Sequence, residues 1–174
     1  MRSSVRRMLN STPTASFAEV RAHDQIMRYH RAGAGRPVVV LRASPDARSL
    51  WPELDEALSS AFRVLTPEVP PTDVARWLGG FLEGVGLDRV TLVATDDFCL
   101  PAIELALLSA DQIERLLLVP SGHARETGLD GTLAAPLAGV VVPLLVLRRG
   151  MPAVDALPLA MQFLESEREV RSTG

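Results

Sequence analysis

The segment from Val90 to Pro101, V-T-L-V-A-T-D-D-F-C-L-P, constrains the fold of this chain more than any other. Its first residues are apolar or β-branched, as in a buried strand, and the residues from about Cys99 fit the start of a helix. Two acidic residues, Asp96 and Asp97, stand between them. The segment therefore predicts a buried strand, a tight turn that carries two carboxylates, and a helix.

Similar patterns recur along the chain and predict an alternation of strands and helices. We place strands near Glu19–Arg21, Gln25–Arg31, Val38–Leu41, Arg63–Thr66, Val90–Val93, Arg115–Val119 and Leu144–Leu147. We place helices near Ser49–Ser59, Thr72–Val85, Leu100–Leu108 and Leu157–Glu167. Because strands separated by helices need crossover connections, the pattern predicts a mostly parallel α/β sheet of about six to seven strands with helices on both faces.

Composition favours one globular domain. A chain of 174 residues that is 47% hydrophobic and 22% charged can build a single core, which we place at residues 17–167, with flexible ends at 1–16 and 168–174. The net charge of −3 argues against a nucleic-acid partner, and the apolar runs are too short for a membrane span. The amino-terminal residues lack the apolar core of a secretory signal, and a single cysteine allows no internal disulfide. We therefore expect a cytoplasmic protein.

The sequence predicts no cofactor. All 18 basic residues counted as Lys or Arg are Arg, so no lysine is present to form a Schiff base with pyridoxal phosphate. Gly33-Ala34-Gly35 precedes a strand, whereas a dinucleotide-binding loop follows a strand and opens a helix. One cysteine also excludes a cysteine-based zinc cluster. The bias toward Arg, Ala, Leu and Val is typical of a GC-rich bacterial genome.

The segments resemble the α/β-hydrolase family in their order and spacing, from about Phe17 to Glu165. R-A-H-D-Q-I-M-R-Y-H-R-A-G-A-G-R-P-V-V-V-L is similar to the opening hairpin and third strand of that family. The stretch around Trp51 is similar to its first helix and fourth strand, G-L-D-R-V to the turn before its fifth strand, and V-V-V-P-L-L-V-L-R-R-G to a late strand. The resemblance implies a minimal α/β-hydrolase-like fold without the lid and without the final strand that carries the catalytic His.

By this resemblance, the turn after the Val90 strand corresponds to the nucleophile elbow, whose usual pattern is G-x-S-x-G. This chain has Ala94-Thr95-Asp96-Asp97-Phe98 there, so Asp96 occupies the nucleophile position and both glycines are replaced. The haloalkane-dehalogenase branch also has Asp in that position, but follows it with a Trp instead of Asp97. Alternatively, Thr95 and the two acids cap the amino end of the next helix.

The other parts of the family's catalytic machinery also differ. His23 and His30 lie in the opening hairpin, while His123 follows the strand that ends at Val119, at the sheet edge where ligands bind. His123 is therefore either an acid/base group or a loop residue. The family's acid motif G-E-x-D is replaced by Gly150-Met151-Pro152-Ala153, and the nearest carboxylate is Asp155.

The family's oxyanion motif H-G-x-P corresponds here to Arg42-Ala43-Ser44-Pro45. The Ser44 backbone can still donate a hydrogen bond, and Arg42 either holds an anionic ligand or pairs with Asp96 or Asp97. The candidate catalytic residues are therefore Asp96, Asp97 and His123. The candidate ligand-binding residues are Arg42, Ser44, Phe98 and Met151, and no metal site is expected.

These departures leave two main hypotheses. The first is an α/β-hydrolase-like protein that binds a small apolar molecule or promotes a non-hydrolytic step, such as a cyclisation. The second is a reduced hydrolase that uses Asp96 with His123 or a solvent base. A non-catalytic interaction protein is a third reading. Residues 121–142 are too few to form the family's helical lid, and an edge strand at Leu144–Leu147 predicts a homodimer.

Overall fold

The computed structural model describes residues 16–22, 24–42, 52–70, 73–120, 134–147 and 150–166. The strands are β1 (Ser16–Ala22), β2 (Gln25–Ala32), β3 (Pro37–Leu41), β4 (Arg63–Pro67), β5 (Val90–Thr95), β6 (Ile113–Val119) and β7 (Leu144–Val146). The helices are α1 (Pro52–Ala61), α2 (Val74–Gly84), α3 (Cys99–Leu108), α4 (Ala134–Leu137) and α5 (Ala153–Glu165), and a 3-10 turn spans Asp96–Phe98.

The strands form one sheet in the order β1-β2-β4-β3-β5-β6-β7. The β1–β2 hairpin is antiparallel, and β2 is antiparallel to β4, whereas β3, β4, β5, β6 and β7 pair in parallel. The predicted mostly parallel sheet with helices is therefore confirmed. The predicted ends at 1–16 and 168–174 lie outside the described residues, except for Ser16.

The hairpin connects to β3 through Gly33-Ala34-Gly35, which precedes a strand as expected. Gly33 has a φ of 70°, and a Cβ built on it would lie 2.2 Å from the backbone oxygens of Ser59 and Phe62. Only glycine fits such a close backbone approach at a positive φ. This tripeptide is thus a connector that packs against the end of α1, in agreement with the sequence analysis.

Each face of the sheet has its own apolar core. One core joins the sheet to α2 and α3 and includes the fully buried side chains of Leu78, Phe81, Leu92 and Ile103. The other core joins the sheet to α1 and α5 and includes Leu58, Leu117 and Leu147. Both faces of the central strands are therefore covered, which explains why those strands are almost entirely apolar.

Helix α5 lies on the α1 face of the sheet, because Ala156, Ala160 and Leu164 belong to the same core as Leu58. A right-handed crossover from β7 to a further parallel strand beyond it would place its helix on the opposite face, with α2 and α3. Helix α5 therefore returns along the α1 face of the sheet, and β7 is the strand at one edge of the described sheet.

Two arginines from the sheet bind the carboxyl end of α5. Arg36 Nη2 donates to the Leu164 carbonyl oxygen at 3.1 Å, and Arg115 donates to the Ser166 carbonyl oxygen. Arg115 is 5% exposed, and its guanidinium lies 5.7 Å from the centre of the Phe163 ring. Cations at a helix carboxyl end satisfy carbonyls that have no partner within the helix and interact favourably with its dipole. The two arginines thus fix the end of α5 to the beginning of β3 and β6.

Replacing Arg115 with methionine is expected to lower the free energy of unfolding by about 2 kcal/mol, because it removes a charged hydrogen bond and a cation–π contact. The exposed Arg89, replaced in the same way, is the matched control and is expected to cost less than about 0.5 kcal/mol. Urea unfolding of the two variants provides the comparison. Equal midpoints would show that the Arg115 contacts do not stabilise α5.

The β7 edge is partly covered within the chain itself. Val142 and Leu147 are 7% and 2% exposed, because Val142 packs on the α3 core and Leu147 on the α5 core. Val141 and Val146 stay 81% and 42% exposed. Of these four residues, only Val141 and Val146 therefore leave apolar surface exposed at this edge. Among the described residues, no helix combines the length and apolar character needed to cross a bilayer.

Candidate functional site

The turn after β5 is strained at Asp96. Strand β5 ends at Thr95, and Asp96 has a φ of 50°, in the left-handed region that non-glycine residues seldom adopt. The 3-10 turn follows, and α3 begins at Cys99. A strained strand-to-helix turn that presents its central residue at the sheet edge is the backbone geometry of a nucleophile elbow. The chain keeps this geometry although both usual glycines are replaced.

Neighbouring residues explain how the turn forms. Thr95 Oγ1 donates to the Leu41 carbonyl oxygen at 3.2 Å, which ties the end of β5 to the end of β3. Pro101 is the third residue of α3, where a backbone N–H has no partner within the helix and its loss costs little. The prediction that the helix begins near Cys99 is therefore confirmed.

The capping interpretation of this turn is only partly supported. Thr95 before the 3-10 turn and Phe98 before α3 make no side-chain capping hydrogen bond, and the Thr95 hydroxyl is already bonded to the Leu41 carbonyl oxygen. The predicted hydroxyl cap by Thr95 is therefore wrong. Asp96 and Asp97 do lie in the first turn, where a negative charge is favoured by the partial positive charge of the helix end.

Side chains around the turn differ in exposure. Asp96 is half-buried and Asp97 is exposed, while Phe98 is half-buried and packs against the α2 and α3 core. The Phe98 ring thus stands at a position where the family has glycine, with part of its surface at the sheet edge. The turn therefore combines two carboxylates with an adjacent aromatic surface.

Cys99, the only cysteine, follows directly and is 1% exposed. Burial, reinforced by the nearby charges of Asp96 and Asp97, raises the pKa of its thiol to about 12. Its Sγ lies 3.6 Å from the Ala94 carbonyl oxygen. Because the thiolate is the reactive form of cysteine, Cys99 is a packing residue at neutral pH and not a nucleophile.

Arg42, directly after β3, pairs with a carboxylate that the sequence analysis missed. We predicted Asp96 or Asp97 as its partner, but the observed ion pair joins Arg42 Nη1 to Asp55 Oδ2 in α1 at 2.8 Å. The side chains are 18% and 39% exposed, so screening by water limits the pair to about 1 kcal/mol at most. Arg42 Nε is buried without a hydrogen-bond partner. The guanidinium is thus held by α1 at the edge that also carries the acidic turn.

The sheet order brings five of the predicted site residues to one edge: Arg42, Asp96, Asp97, Phe98 and Met151. Arg42 follows β3, Asp96 follows β5, and Met151 lies between β7 and α5, and these parallel strands all end at the same edge. Met151 is half-buried against the α1 and α5 core. Ser44 and His123 lie outside the described residues. Asp155, the nearest carboxylate after β7, is an exposed residue in the first turn of α5.

His30 is too far from the acidic turn to act on it. It lies in β2 opposite Thr66, and its ring is 3.7 Å from the Phe17 ring, centre to centre. Strands β4 and β3 stand between β2 and β5, so three strand spacings separate them, about 14 Å. His23 lies outside the described residues. Within the described part of the chain, no group of His, Cys, Asp and Glu is placed to hold a metal ion.

Solved structures similar to this one are α/β-hydrolase proteins. They include Cfl2 from Burkholderia cenocepacia (22% identity, TM-score 0.51), an epoxide hydrolase from Vigna radiata (20%, 0.52) and the naproxen esterase from Bacillus subtilis (12%, 0.52). The matches cover 66%, 60% and 60% of this chain and 45%, 39% and 42% of those chains. No family model and no curated protein matches the sequence.

The chain therefore has an α/β-hydrolase-like fold in a short form. It spans roughly two fifths of the length of the proteins that it resembles, for example 39% of the epoxide hydrolase. At these identities the likeness establishes the fold, and the chemistry has to come from the residues of this chain.

Proposed function

We propose that this chain is an α/β-hydrolase-like protein that does not hydrolyse its ligand. It binds a small apolar molecule at the edge formed by the ends of β3, β5 and β7, or promotes a non-hydrolytic step there, such as a cyclisation or rearrangement in a bacterial biosynthetic pathway. The observation that carries this proposal is the acidic turn, which keeps the strained backbone of an elbow but presents Asp96 beside a second carboxylate, Asp97.

The charges at the turn oppose hydrolysis. An acyl-transfer or halide-releasing step builds negative charge next to the nucleophile, and hydrolytic enzymes stabilise that charge with hydrogen-bond donors. A carboxylate at Asp97 does the reverse, because like charges repel. Cys99 stays protonated, and His30 lies in β2, a strand that is three strand spacings, about 14 Å, from β5. A carboxylate in this setting is better suited to accept a proton from a bound molecule than to attack it.

The ligand that this edge fits best is largely apolar. Phe98 and Met151 present partly buried apolar side chains, each packed on a different core of the sheet. Arg42 supplies one cation beside them, held at 2.8 Å by Asp55. A mostly apolar surface with a few oriented polar groups is typical of a small-molecule site. These residues therefore suit a neutral, largely apolar molecule that carries one polar group.

Binding of a neutral apolar dye, Nile red, tests the ligand site. Phe98→Ala is expected to weaken binding about fivefold to tenfold, because part of the ring's contact area is lost. Leu108→Ala is the matched control, since Leu108 ends the same helix and is 78% exposed. Fluorescence titration of the native chain and both variants makes the comparison. Equal affinities for all three would contradict a ligand site at the acidic turn.

A reduced hydrolase is the second candidate, and the positive φ of Asp96 favours it. Residues held in sparsely populated backbone regions cluster at active sites, and this strain is retained at the nucleophile position. In this reading Asp96 attacks the substrate and His123 or a solvent base completes the hydrolysis. Turnover that depends on Asp96 distinguishes the two candidates, as discussed below.

We also propose that the protein is a cytoplasmic homodimer that pairs along β7. Residues Leu144, Leu145 and Val146 form an outer strand without a charged side chain, although edge strands usually carry charges that prevent pairing. Val141 and Val146 supply the exposed apolar surface. A second copy joined by a twofold axis would continue the sheet with its β7 antiparallel to the first, and would place the ligand edges of the two copies on opposite sides of the joined sheet.

Sedimentation tests the homodimer. We expect a dimer at tens of micromolar, and we expect Val146→Arg to convert it to a monomer, because a charge at an edge disfavours strand pairing. Phe17→Arg at the opposite edge, where Phe17 is 67% exposed, is the control and should leave the dimer intact. A native chain that sediments as a clean monomer would rule out the dimer and favour a partner of another kind.

A further inference from the structure

A cavity lies between the β1–β2 hairpin and α2, away from the acidic turn. This hairpin groove has a volume of about 540 Å³, within the usual range for small-ligand sites. Met27, Pro70 and Trp77 form its apolar wall, and Gln25, Asp73 and Arg76 supply its polar groups. Strands β4 and β3 separate β2 from β5, so the hairpin groove and the acidic turn are different places.

The apolar wall of the hairpin groove is rigid and includes an aromatic ring. Trp77 stacks on Phe81, with ring centres 5.6 Å apart and planes 5° from parallel, and Phe81 meets Tyr29 edge-on at 5.5 Å. Met27 is 4% exposed and fixed in the core, while Trp77 is half-buried. A half-buried indole with one face fixed by packing offers its remaining surface to a flat apolar group.

The polar groups stand on the same side of α2 as that ring. The backbone N–H of Trp77 donates to the Asp73 carbonyl oxygen at 3.0 Å, so Asp73 lies one helical turn before Trp77. Arg76 is three residues after Asp73, and residues three and four apart share a helix face, with Cβ atoms about 5–6 Å apart. Within the described part of the chain, the side chains of Asp73 and Arg76 form no ion pair, with each other or with any other residue. A carboxylate and a guanidinium are thus both available at the groove.

We propose that the hairpin groove binds a small aromatic zwitterion of the α-amino-acid type. The ligand's ring packs against Trp77, Met27 and Pro70, its carboxylate pairs with Arg76, and its ammonium group pairs with Asp73. The ammonium and carboxylate of an α-amino acid branch from one carbon, which suits two opposite charges three residues apart at the amino end of α2. Because the groove offers both a positive and a negative group, it favours a zwitterion over a purely apolar, purely anionic or purely cationic ligand. The proposal does not depend on the function proposed for the acidic turn.

Calorimetric titration with phenylalanine, phenylalaninamide and N-acetylphenylalanine tests this site, because the last two each lack one charge of the first. Arg76→Gln is expected to weaken phenylalanine and N-acetylphenylalanine about tenfold and to leave phenylalaninamide unchanged. Asp73→Asn is expected to weaken phenylalanine and phenylalaninamide about tenfold and to leave N-acetylphenylalanine unchanged. Asn tolerates the φ of 54° at this position, so the backbone is preserved.

Arg89→Gln is the matched control, because Arg89 is exposed and lies outside the hairpin groove. It should bind all three compounds as the native chain does. The proposal is overturned if folded native protein binds no phenylalanine up to about 10 mM, a limit that corresponds to very weak binding. It is also overturned if phenylalanine binds with the same affinity to the native chain, Arg76→Gln and Asp73→Asn.

Discussion

Replacing Phe81 with alanine is expected to lower the free energy of unfolding by about 3–5 kcal/mol, the usual cost of removing a fully buried phenylalanine side chain. Phe81 is 0% exposed and lies between Tyr29 of the hairpin and Trp77 of its own helix. The substitution leaves a cavity at the point where the hairpin, α2 and the sheet meet. Urea unfolding monitored by circular dichroism measures the loss.

Leu108 provides the control for this prediction. It ends α3 and is 78% exposed, so Leu108→Ala is expected to change the free energy of unfolding by less than about 0.5 kcal/mol. If Phe81→Ala costs no more than Leu108→Ala, the packing of the hairpin on α2 is not part of the stable core. The hairpin groove would then lack the rigid wall that the ligand proposal needs.

The fold could be predicted from the sequence because its strands are buried and its turns carry clear signals. Val90–Thr95 and Ile113–Val119 are mostly apolar and covered on both faces of a parallel sheet, and they extend the predicted strands Val90–Val93 and Arg115–Val119 by two residues each. The start of α3 could also be placed, because Pro101 fits only the first turn of a helix. The start of α5 was placed at Leu157 but lies at Ala153, so that Pro158 stands inside the helix and not in its first turn.

The position of the candidate site could be predicted from the sequence, but the contacts within it could not. The sequence placed Asp96 and Arg42 at one edge, because the ends of neighbouring parallel strands meet there. It did not reveal that Arg42 pairs with Asp55, which lies 13 residues later in the first turn of α1. A long flexible side chain can reach several partners, and tertiary packing, which the sequence does not show directly, determines which one it binds. The positive φ of Asp96 could not be predicted either, because Asp is not a residue that requires a positive φ.

The hairpin groove could not be predicted at all. Asp73, Arg76 and Trp77 share one helix face, which their spacing shows, but the opposite wall comes from Met27 and Pro70. These residues come together only when β2 pairs with β4 in the observed antiparallel register, with Tyr29 opposite Pro67. A long-range pairing of this kind is set by the whole sheet.

Hydrolysis of nitrophenyl acetate by the purified native chain and by Asp96→Ala tests the central claim most directly. Loss of a serine or histidine from a working catalytic triad lowers kcat by about a millionfold, so a chain without that machinery should show no burst and no turnover above the buffer rate. We expect the native chain and Asp96→Ala to give the same background rate. Turnover that persists through purification and disappears in Asp96→Ala would contradict the non-hydrolytic proposal and establish Asp96 as the nucleophile of a reduced hydrolase.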